Sequence, residues 1–177
     1  MMRKTAKFNY AKANGLQLLE MPYKGNRVSM IVLLPEQGKS LADLEQSLTV
    51  ENLAAWTGML SNQRVAVSFP RFKVKSSLDL SQVFQSMGMS PSVFRAPNLS
   101  GMTSLRNLEI SGALQEAVII VDEVGTKAAA ATAIGIDSRS LPPRAEVFNA
   151  NRPFMFLLRD KDLGTIFFMG RVMDPRD

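Results

Sequence analysis

Two residue types that often carry out chemistry in proteins are absent from this chain. The 177 residues include no histidine and no cysteine. A Ser-His-Asp triad, a histidine-ligated zinc site and a cysteine nucleophile are therefore excluded. An enzyme would need a serine–lysine pair or paired carboxylates, and neither occurs at a persuasive spacing. The sequence predicts a protein that is not an enzyme and that uses no metal or cofactor.

One segment, Asp122–Pro143, places an arginine where another protein could reach it. Its sequence is DEVGTKAAAATAIGIDSRSLPP, in which Arg139 and Ser140 follow a run of small residues and precede two prolines. Proline has a fixed φ and no backbone N–H, so Pro142 and Pro143 prevent a helix or a strand ladder from continuing. The composition predicts a loop that displays the Arg139–Ser140 bond.

The run of small residues has two distinct faces when it is extended, because alternate side chains of a strand point to opposite sides. One face is uniformly small or apolar and comprises Thr126, Ala128, Ala130, Thr132, Ile134 and Ile136. The other face holds the charges and comprises Gly125, Lys127, Ala129, Ala131, Ala133, Gly135 and Asp137. Alanine favours helix and is a poor strand former. Small residues nevertheless suit a segment that must enter between packed strands, where overfilling costs roughly 1–3 kcal/mol.

The rest of the chain provides the elements that would position this loop. The length is that of one domain, residues 1–177, and 46% of the residues are hydrophobic. Asn14-Gly15 between two apolar runs predicts a hairpin with positive φ at both turn residues. A third run after the turn at 24–26 extends the hairpin to a three-stranded meander.

Further elements follow from capping residues and periodicity. Helices are predicted after Ser40 and Thr49, which can cap them, and over residues 80–87. Strands are predicted at 64–69, 72–75, 117–121, 154–159 and 165–172. This order predicts an α+β fold with mostly antiparallel β-sheets and a few helices.

Charge and hydropathy restrict the partners. The net charge is +5, and a modest basic cluster alternates Arg71, Lys73 and Lys75 with Phe72 and Val74. We interpret the cluster as the solvated face of a strand, with a polyanion-binding stripe as the alternative. No run of eighteen apolar residues occurs. Neither a nucleic acid nor a membrane is predicted as a partner.

Six segments of the sequence resemble the serpin family of serine protease inhibitors, in the family's order and spacing. The hinge VDEVGTKAAAATA is followed by VFNANRPFMFLLRD at 147–160 and by TIFFMGRVMDP at 165–175. Upstream lie LEMPYKGNRVSMIVLLPEQG, FPRFKVKSSLDLSQVFQSMGM and NLSGMTS. The resemblance spans essentially the whole chain but corresponds to the C-terminal part of a longer family domain. It implies a serpin-like fold that lacks its N-terminal half.

The resemblance also implies a mechanism and a partner. A reactive loop at about 125–146 would present Arg139–Ser140 as the bait bond, and an arginine there suits a trypsin-like serine protease. After cleavage, the hinge would insert into a sheet as a strand and trap the protease. The hinge residues carried over are Glu123, Gly125, Thr126, Ala128, Ala129, Ala130, Ala131 and Thr132. Arg144–Ala145 is the next candidate bond, disfavoured because it lies close to the following strand.

Other readings of the function stay open. The chain could be a truncated, non-inhibitory serpin fragment that a protease cleaves as a plain substrate. It could also be an interaction module that pairs with the missing N-terminal half. The resemblance places the apolar strand 117–121 beside the insertion gap, so an isolated chain is expected to self-associate or to pack loosely. It further implies an extracellular location, although the chain shows no signal peptide.

Overall fold

The computed structural model describes residues 1–90, 92–103, 108–122 and 144–175. The chain divides into two compact units, one made of Met1–Phe72 with Val121–Asp177 and the other of Lys73–Ile120. The strands are β1 Met2–Ala13, β2 Leu16–Pro22, β3 Val28–Pro35, β4 Ser61–Phe69, β5 Phe72–Asp79, β6 Leu114–Val121, β7 Glu146–Asn149, β8 Phe154–Asp160 and β9 Ile166–Val172. The helices are α1 Leu41–Ser47, α2 Val50–Gly58, α3 Leu80–Ser86 and α4 Ser92–Arg95.

The predicted meander opens the larger unit. Asn14 and Gly15 both have positive φ, 55° and 80°, as the hairpin prediction requires. The second turn ends with Asn26, which also has a positive φ of 59°. Strands β1, β2 and β3 pair antiparallel through these turns. The expected α+β architecture with mostly antiparallel sheet is thereby confirmed.

Strand β1 joins two ladders into one seven-stranded sheet. Its residues Asn9–Ala13 pair with β2, and Met2–Tyr10 pair with β4. The strand order is β7-β4-β1-β2-β3-β8-β9. The apolar run before Asn14 predicts a strand over residues 8–13 only, because the polar run at 2–7 shows no half-buried alternation. The first half of β1 is a strand because β4, more than fifty residues later, provides its partner.

The sheet curls around one of its faces. Phe148 on β7 lies opposite Val67, which lies opposite Lys4 of β1. Tyr10 is six residues further along β1, about 20 Å away in a flat strand. The rings of Tyr10 and Phe148 nevertheless meet edge to face, with centroids 6.5 Å apart. The β4–β7 part of the sheet therefore folds over the β2–β3 part, and the face between them is inside.

Aromatic side chains fill part of the inner face. Phe69, Phe72, Phe154 and Phe156 contact one another, with centroids 5.4 to 5.9 Å apart. All four are buried. Such pairs add about 0.5–1.5 kcal/mol each beyond the area that they bury. They link the β4–β5 junction to β8.

Helices α1 and α2 cover part of the outer face. Ser40 and Thr49 cap them, each accepting a hydrogen bond from the backbone N–H three residues later, as predicted. Leu41 and Leu44 pack on a cluster that includes Leu18 and Leu33. Trp56, which the sequence suggested as a core anchor, is only partly buried against this cluster.

A polar row crosses the outer face beside this cluster. Glu20 on β2 is 3% exposed and accepts hydrogen bonds from Asn9 Nδ2 at 2.7 Å, Ser29 Oγ at 2.8 Å and Arg159 Nη2 at 3.2 Å. Burial alone would raise the pKa of Glu20, but these three hydrogen bonds outweigh it and the pKa is lowered. Four strands, β1, β2, β3 and β8, are thus held in register by one buried carboxylate.

The smaller unit contains a two-stranded sheet of β5 and β6 together with α3 and α4. Asp79 caps α3 by accepting from Ser81 N at 2.9 Å. Arg71, Lys73 and Lys75 are exposed while Phe72 is buried, which supports the interpretation as a solvated strand face. Helix α4 and strand β7 were not predicted. Each has only four residues, which is too short for periodicity to indicate.

We expect Gly170→Ala to destabilise the larger unit by about 1–3 kcal/mol, because the added methyl group overpacks the inner face. A Cβ at Gly170 would lie 2.7 Å from Cζ of Phe156, a fully buried ring. Urea denaturation measures the free energy of unfolding. Gly58→Ala is the matched control, since a Cβ there meets nothing within 4 Å. Equal stabilities of the two variants would contradict this packing.

We expect Glu20→Gln to lower the free energy of unfolding by about 2–3 kcal/mol at neutral pH. The pKa of Glu20 is lower in the folded chain, so its contribution is complete above the unfolded value of about 4.3. That contribution disappears as the pH falls through the folded pKa, and the difference from the parent chain should shrink at pH 3. Asp160, whose pKa is lowered chiefly by the backbone N–H of Leu163, keeps some acid sensitivity in both proteins.

The control for this change is Glu109→Gln, which removes an exposed carboxylate and should have little effect at either pH. A Glu20→Gln difference that is as large at pH 3 as at pH 7 would show that Glu20 is not the ionised centre of the row.

Candidate functional site

The predicted bait bond and hinge lie outside the described residues. This holds for Arg139 and Ser140 and for the hinge residues Glu123, Gly125, Thr126, Ala128, Ala129, Ala130, Ala131 and Thr132. The structure describes the two ends of the segment that carries them, Asp122 after β6 and Arg144 before β7. The candidate site is therefore described through the strands on either side of the segment, β6 upstream and β7 downstream, which we call its two anchors.

The upstream anchor is β6, an apolar strand with little burial. Val118 and Ile120 are 48% and 63% exposed, whereas Ala117, Ile119 and Val121 alternate with them and are half-buried. Within the described ranges β6 pairs with β5 only. Lys75 and Glu116 form an ion pair at 3.7 Å between exposed side chains, which contributes little stability. This anchor has apolar, β-branched residues, and its second edge pairs with no strand of the described ranges.

The downstream anchor is β7, which is short but firmly held. It runs parallel to β4, with Glu146–Asn149 opposite Val65–Ser68. Phe148 is fully buried against Tyr10. The ladder continues one residue further, because Ala150 donates its N–H to the carbonyl of Ser68 at 3.0 Å.

Arg152 clamps the chain as it leaves β7. Its Nε donates to the Pro35 carbonyl at 2.6 Å, and its Nη1 donates to the carbonyl of Asn149 at 3.4 Å. Burial lowers the pKa of the guanidinium, and the Glu36 carboxylate opposes that shift. Arg152 ties the exit of β7 to the end of β3. Sequence reasoning quoted the motif that contains Arg152 but assigned the residue no role, and its partner, a backbone carbonyl, leaves no signal in a sequence.

The two anchors differ in the contacts that would be lost if the strand were displaced. Displacing β6 would break its ladder with β5 and expose three half-buried side chains. Displacing β7 would break a ladder, the contact of the fully buried Phe148 with Tyr10 and the Arg152 clamp. Arg144 and Ala145 directly precede β7. A protease that binds several extended residues on both sides of Arg144–Ala145 would have to separate β7 from β4. This geometry supports the ranking of that bond behind Arg139–Ser140.

The described ranges bear on two other kinds of site. They hold no group of three or more His, Cys, Asp or Glu side chains that could bind a metal ion. None of the described helices is long and apolar enough to cross a membrane.

Comparison with known proteins gives a consistent result. The profile of the family described as "Serpin (serine protease inhibitor)" matches residues 1–175. Antithrombin-III of Mus musculus is 41% identical over 180 residues, which cover 99% of this chain and 38% of that protein. Serpin B3 of Homo sapiens is 41% identical over 179 residues, which cover 99% of this chain and 46% of that protein.

A solved structure agrees with the sequence relatives. The native-state crystal structure of tengpin, a thermophilic serpin, superposes with a TM-score of 0.75 at 26% identity, over 98% of this chain and 45% of that chain. The chain thus spans less than half the length of the curated relatives named here. Because the family profile matches nearly its entire length, the chain belongs to the serpin family of serine protease inhibitors.

Proposed function

We propose that the chain carries the reactive loop of a serpin at about 125–146 and presents Arg139–Ser140 as the bait bond for a trypsin-like serine protease. The observation that carries the proposal is the position of this segment between two unequal anchors. It follows an apolar strand whose second edge pairs with no described strand, and it precedes a strand that is clamped in place. Such a segment can be cut while one end stays fixed.

The chemistry follows that of acyl transfer. The arginine side chain enters a pocket with an acidic base, and the protease serine oxygen attacks the carbonyl carbon of Arg139. An ester forms, the bond to the Ser140 nitrogen breaks, and that nitrogen leaves as an amine after accepting a proton. Ser140 then remains joined to β7. The acyl-protease is joined, through the hinge, to β6.

The hinge can follow β6 into a sheet once the bond is cut. Strand addition to a sheet edge is a known recognition mode, and serpin loop insertion is a standard example of it. The Thr126, Ala128, Ala130 and Thr132 face is small enough to enter between packed strands, while Lys127 lies on the other face and stays in solvent. Insertion before hydrolysis of the ester would trap the protease. In this scheme the protein inhibits and is not itself an enzyme.

A second function is favoured by one specific observation. Within the described ranges the sheet of β6 has two strands, and insertion of a hinge needs packed strands on both of its sides. We infer that this chain by itself is cleaved as a substrate, or pairs with a separate N-terminal half, and that trapping belongs to a longer form. An extracellular location is proposed from the family resemblance alone.

We expect dilute trypsin to cut Arg139–Ser140 before any other bond, because small residues precede the bond and prolines follow it. N-terminal sequencing of the first product should give Ser140-Leu141-Pro142. Arg139→Ala should slow the first cut at least tenfold, whereas Arg144→Ala should leave it unchanged. A first cut at Arg144–Ala145, or at another basic residue with Arg139–Ser140 intact, would refute the assignment of the bait bond.

We expect the 177-residue chain alone to form no SDS-stable adduct with trypsin, because among the described residues only β5 pairs with β6 and no second strand completes an insertion site. The same exposed edge should make the chain oligomeric or dye-binding. Sedimentation and ANS fluorescence measure these two properties, and an SDS gel detects the adduct. A compact monomer that binds no ANS and traps trypsin would show that this part of the fold is sufficient for inhibition.

A further inference from the structure

A polar pocket of about 380 Å³ lies in the larger unit, where β1 and β2 meet the ends of β3 and β7. Its volume is within the range of small-molecule sites. Lys12 of β1 and Gln17 of β2 line it and lie directly opposite each other in the antiparallel ladder, so their Cβ atoms are about 5 Å apart. Glu36 after β3, Asn149 at the end of β7 and Arg152 beyond it also line the pocket. Side chains from four strands or strand ends therefore converge on one cavity.

Two side chains of this pocket keep donors without an acceptor among the described residues. The Gln17 amide makes no hydrogen bond to any of them, and its Oε1 is buried, whereas its Nε2 is not. Arg152 donates through Nε to Pro35 and through Nη1 to Asn149 and Asn151. Both hydrogens of its Nη2 remain without a described acceptor, and Nη2 is likewise not buried. The pocket thus offers two accessible N–H donor groups to an incoming acceptor.

The charges of the lining leave one positive charge unbalanced. Lys12 and Arg152 are cations and Glu36 is an anion, and Glu36 Oε1 contacts Lys12 Nζ at 2.9 Å. Arg152 forms no ion pair with a described residue. Burial lowers the pKa of its guanidinium, so the free chain bears a cost for keeping this side chain charged. An anion in contact with Nη2 would reduce that cost.

The remaining polar groups of the lining favour a ligand with hydroxyl groups. Glu36 Oε2 has no donor among the described residues, and the Asn149 side-chain amide forms no hydrogen bond to them. A hydroxyl group can donate to the carboxylate and can either donate to or accept from the amide. A purely apolar ligand would remove these groups from water without replacing their hydrogen bonds, which is costly.

We propose that this pocket binds a small monocarboxylate that carries hydroxyl groups. Its carboxylate accepts from Arg152 Nη2 and Gln17 Nε2, and its hydroxyl groups face Glu36 and Asn149. One negative charge neutralises the lining, whereas a dicarboxylate would overcompensate it. Hydrogen bonds between a guanidinium and a carboxylate are among the strong ones. The bound molecule connects β2 with the segment that follows β7, so it stabilises the downstream anchor. The site does not depend on the identity of the bait bond.

The test titrates the whole chain with gluconate at constant ionic strength and follows binding by saturation-transfer NMR. We expect saturable binding with a Kd of about 1 mM, the strength that a ligand of this size can reach. Glucitol has the hydroxyl groups without the carboxylate, and acetate has a carboxylate without hydroxyl groups. Each should bind at least about tenfold more weakly than gluconate. The Tm of the chain should rise with gluconate and level off as the site fills.

The decisive variant is Gln17→Met, which removes the donor Nε2 and the buried Oε1 and breaks no hydrogen bond within the described residues. We expect the Kd for gluconate to rise about tenfold, while the Tm without ligand rises because an unpartnered buried acceptor is gone. The control is Gln46→Met on α1, an exposed position that does not line the pocket, and it should leave the Kd unchanged. Arg152→Gln should abolish measurable binding. If that variant does not fold, Gln17→Met alone decides.

Three results would contradict the proposal. Absence of saturable gluconate binding would show that the pocket holds only solvent. Equal affinities for gluconate and acetate, or for gluconate and glucitol, would overturn the proposed ligand class. A Gln17→Met variant that gains stability and still binds gluconate as tightly as the parent chain would show that the ligand binds elsewhere, and it would overturn the assignment of the site.

Discussion

The pairing of β1 with two different partners is the constraint on which the larger unit depends. One strand contributes its first half to β4 and its second half to β2, with Asn9 and Tyr10 shared by both ladders. This overlap makes one continuous sheet, and the curl at β1 turns one face of it inward. The aromatic core can then form between strands that are far apart in the strand order. The curl also leaves the other face of β4 and β7 in solvent.

The same shared segment starts the polar row. Asn9 donates to Glu20, whose carboxylate also receives Ser29 and Arg159. A buried carboxylate is costly unless it is fully hydrogen-bonded, so register errors among β1, β2, β3 and β8 would leave it unpaired. We therefore expect the hydrogen bonds to Glu20 to specify one alignment of the four strands, in addition to their contribution to the free energy of unfolding. An apolar substitute would tolerate a strand slip that the charge does not.

The strands on the two sides of the predicted loop are held unequally. The downstream end enters β7, which is pinned by β4, by Tyr10 and by Arg152. The upstream end leaves β6, whose described neighbour is β5 alone. Under the proposed function, cleavage would leave the downstream part of the loop attached to the more firmly held strand.

The sequence by itself determined the features that depend on neighbouring residues. Positive φ at Asn14 and Gly15 and the caps at Ser40 and Thr49 follow from short-range chemistry, and six ordered motifs identified the family. The tertiary structure decided the first half of β1, the parallel strand β7, the carbonyl bound by Arg152 and the burial of Glu20. Each of these depends on a partner tens of residues away, whose position no local pattern encodes, because long-range pairing is settled only when the sheet closes.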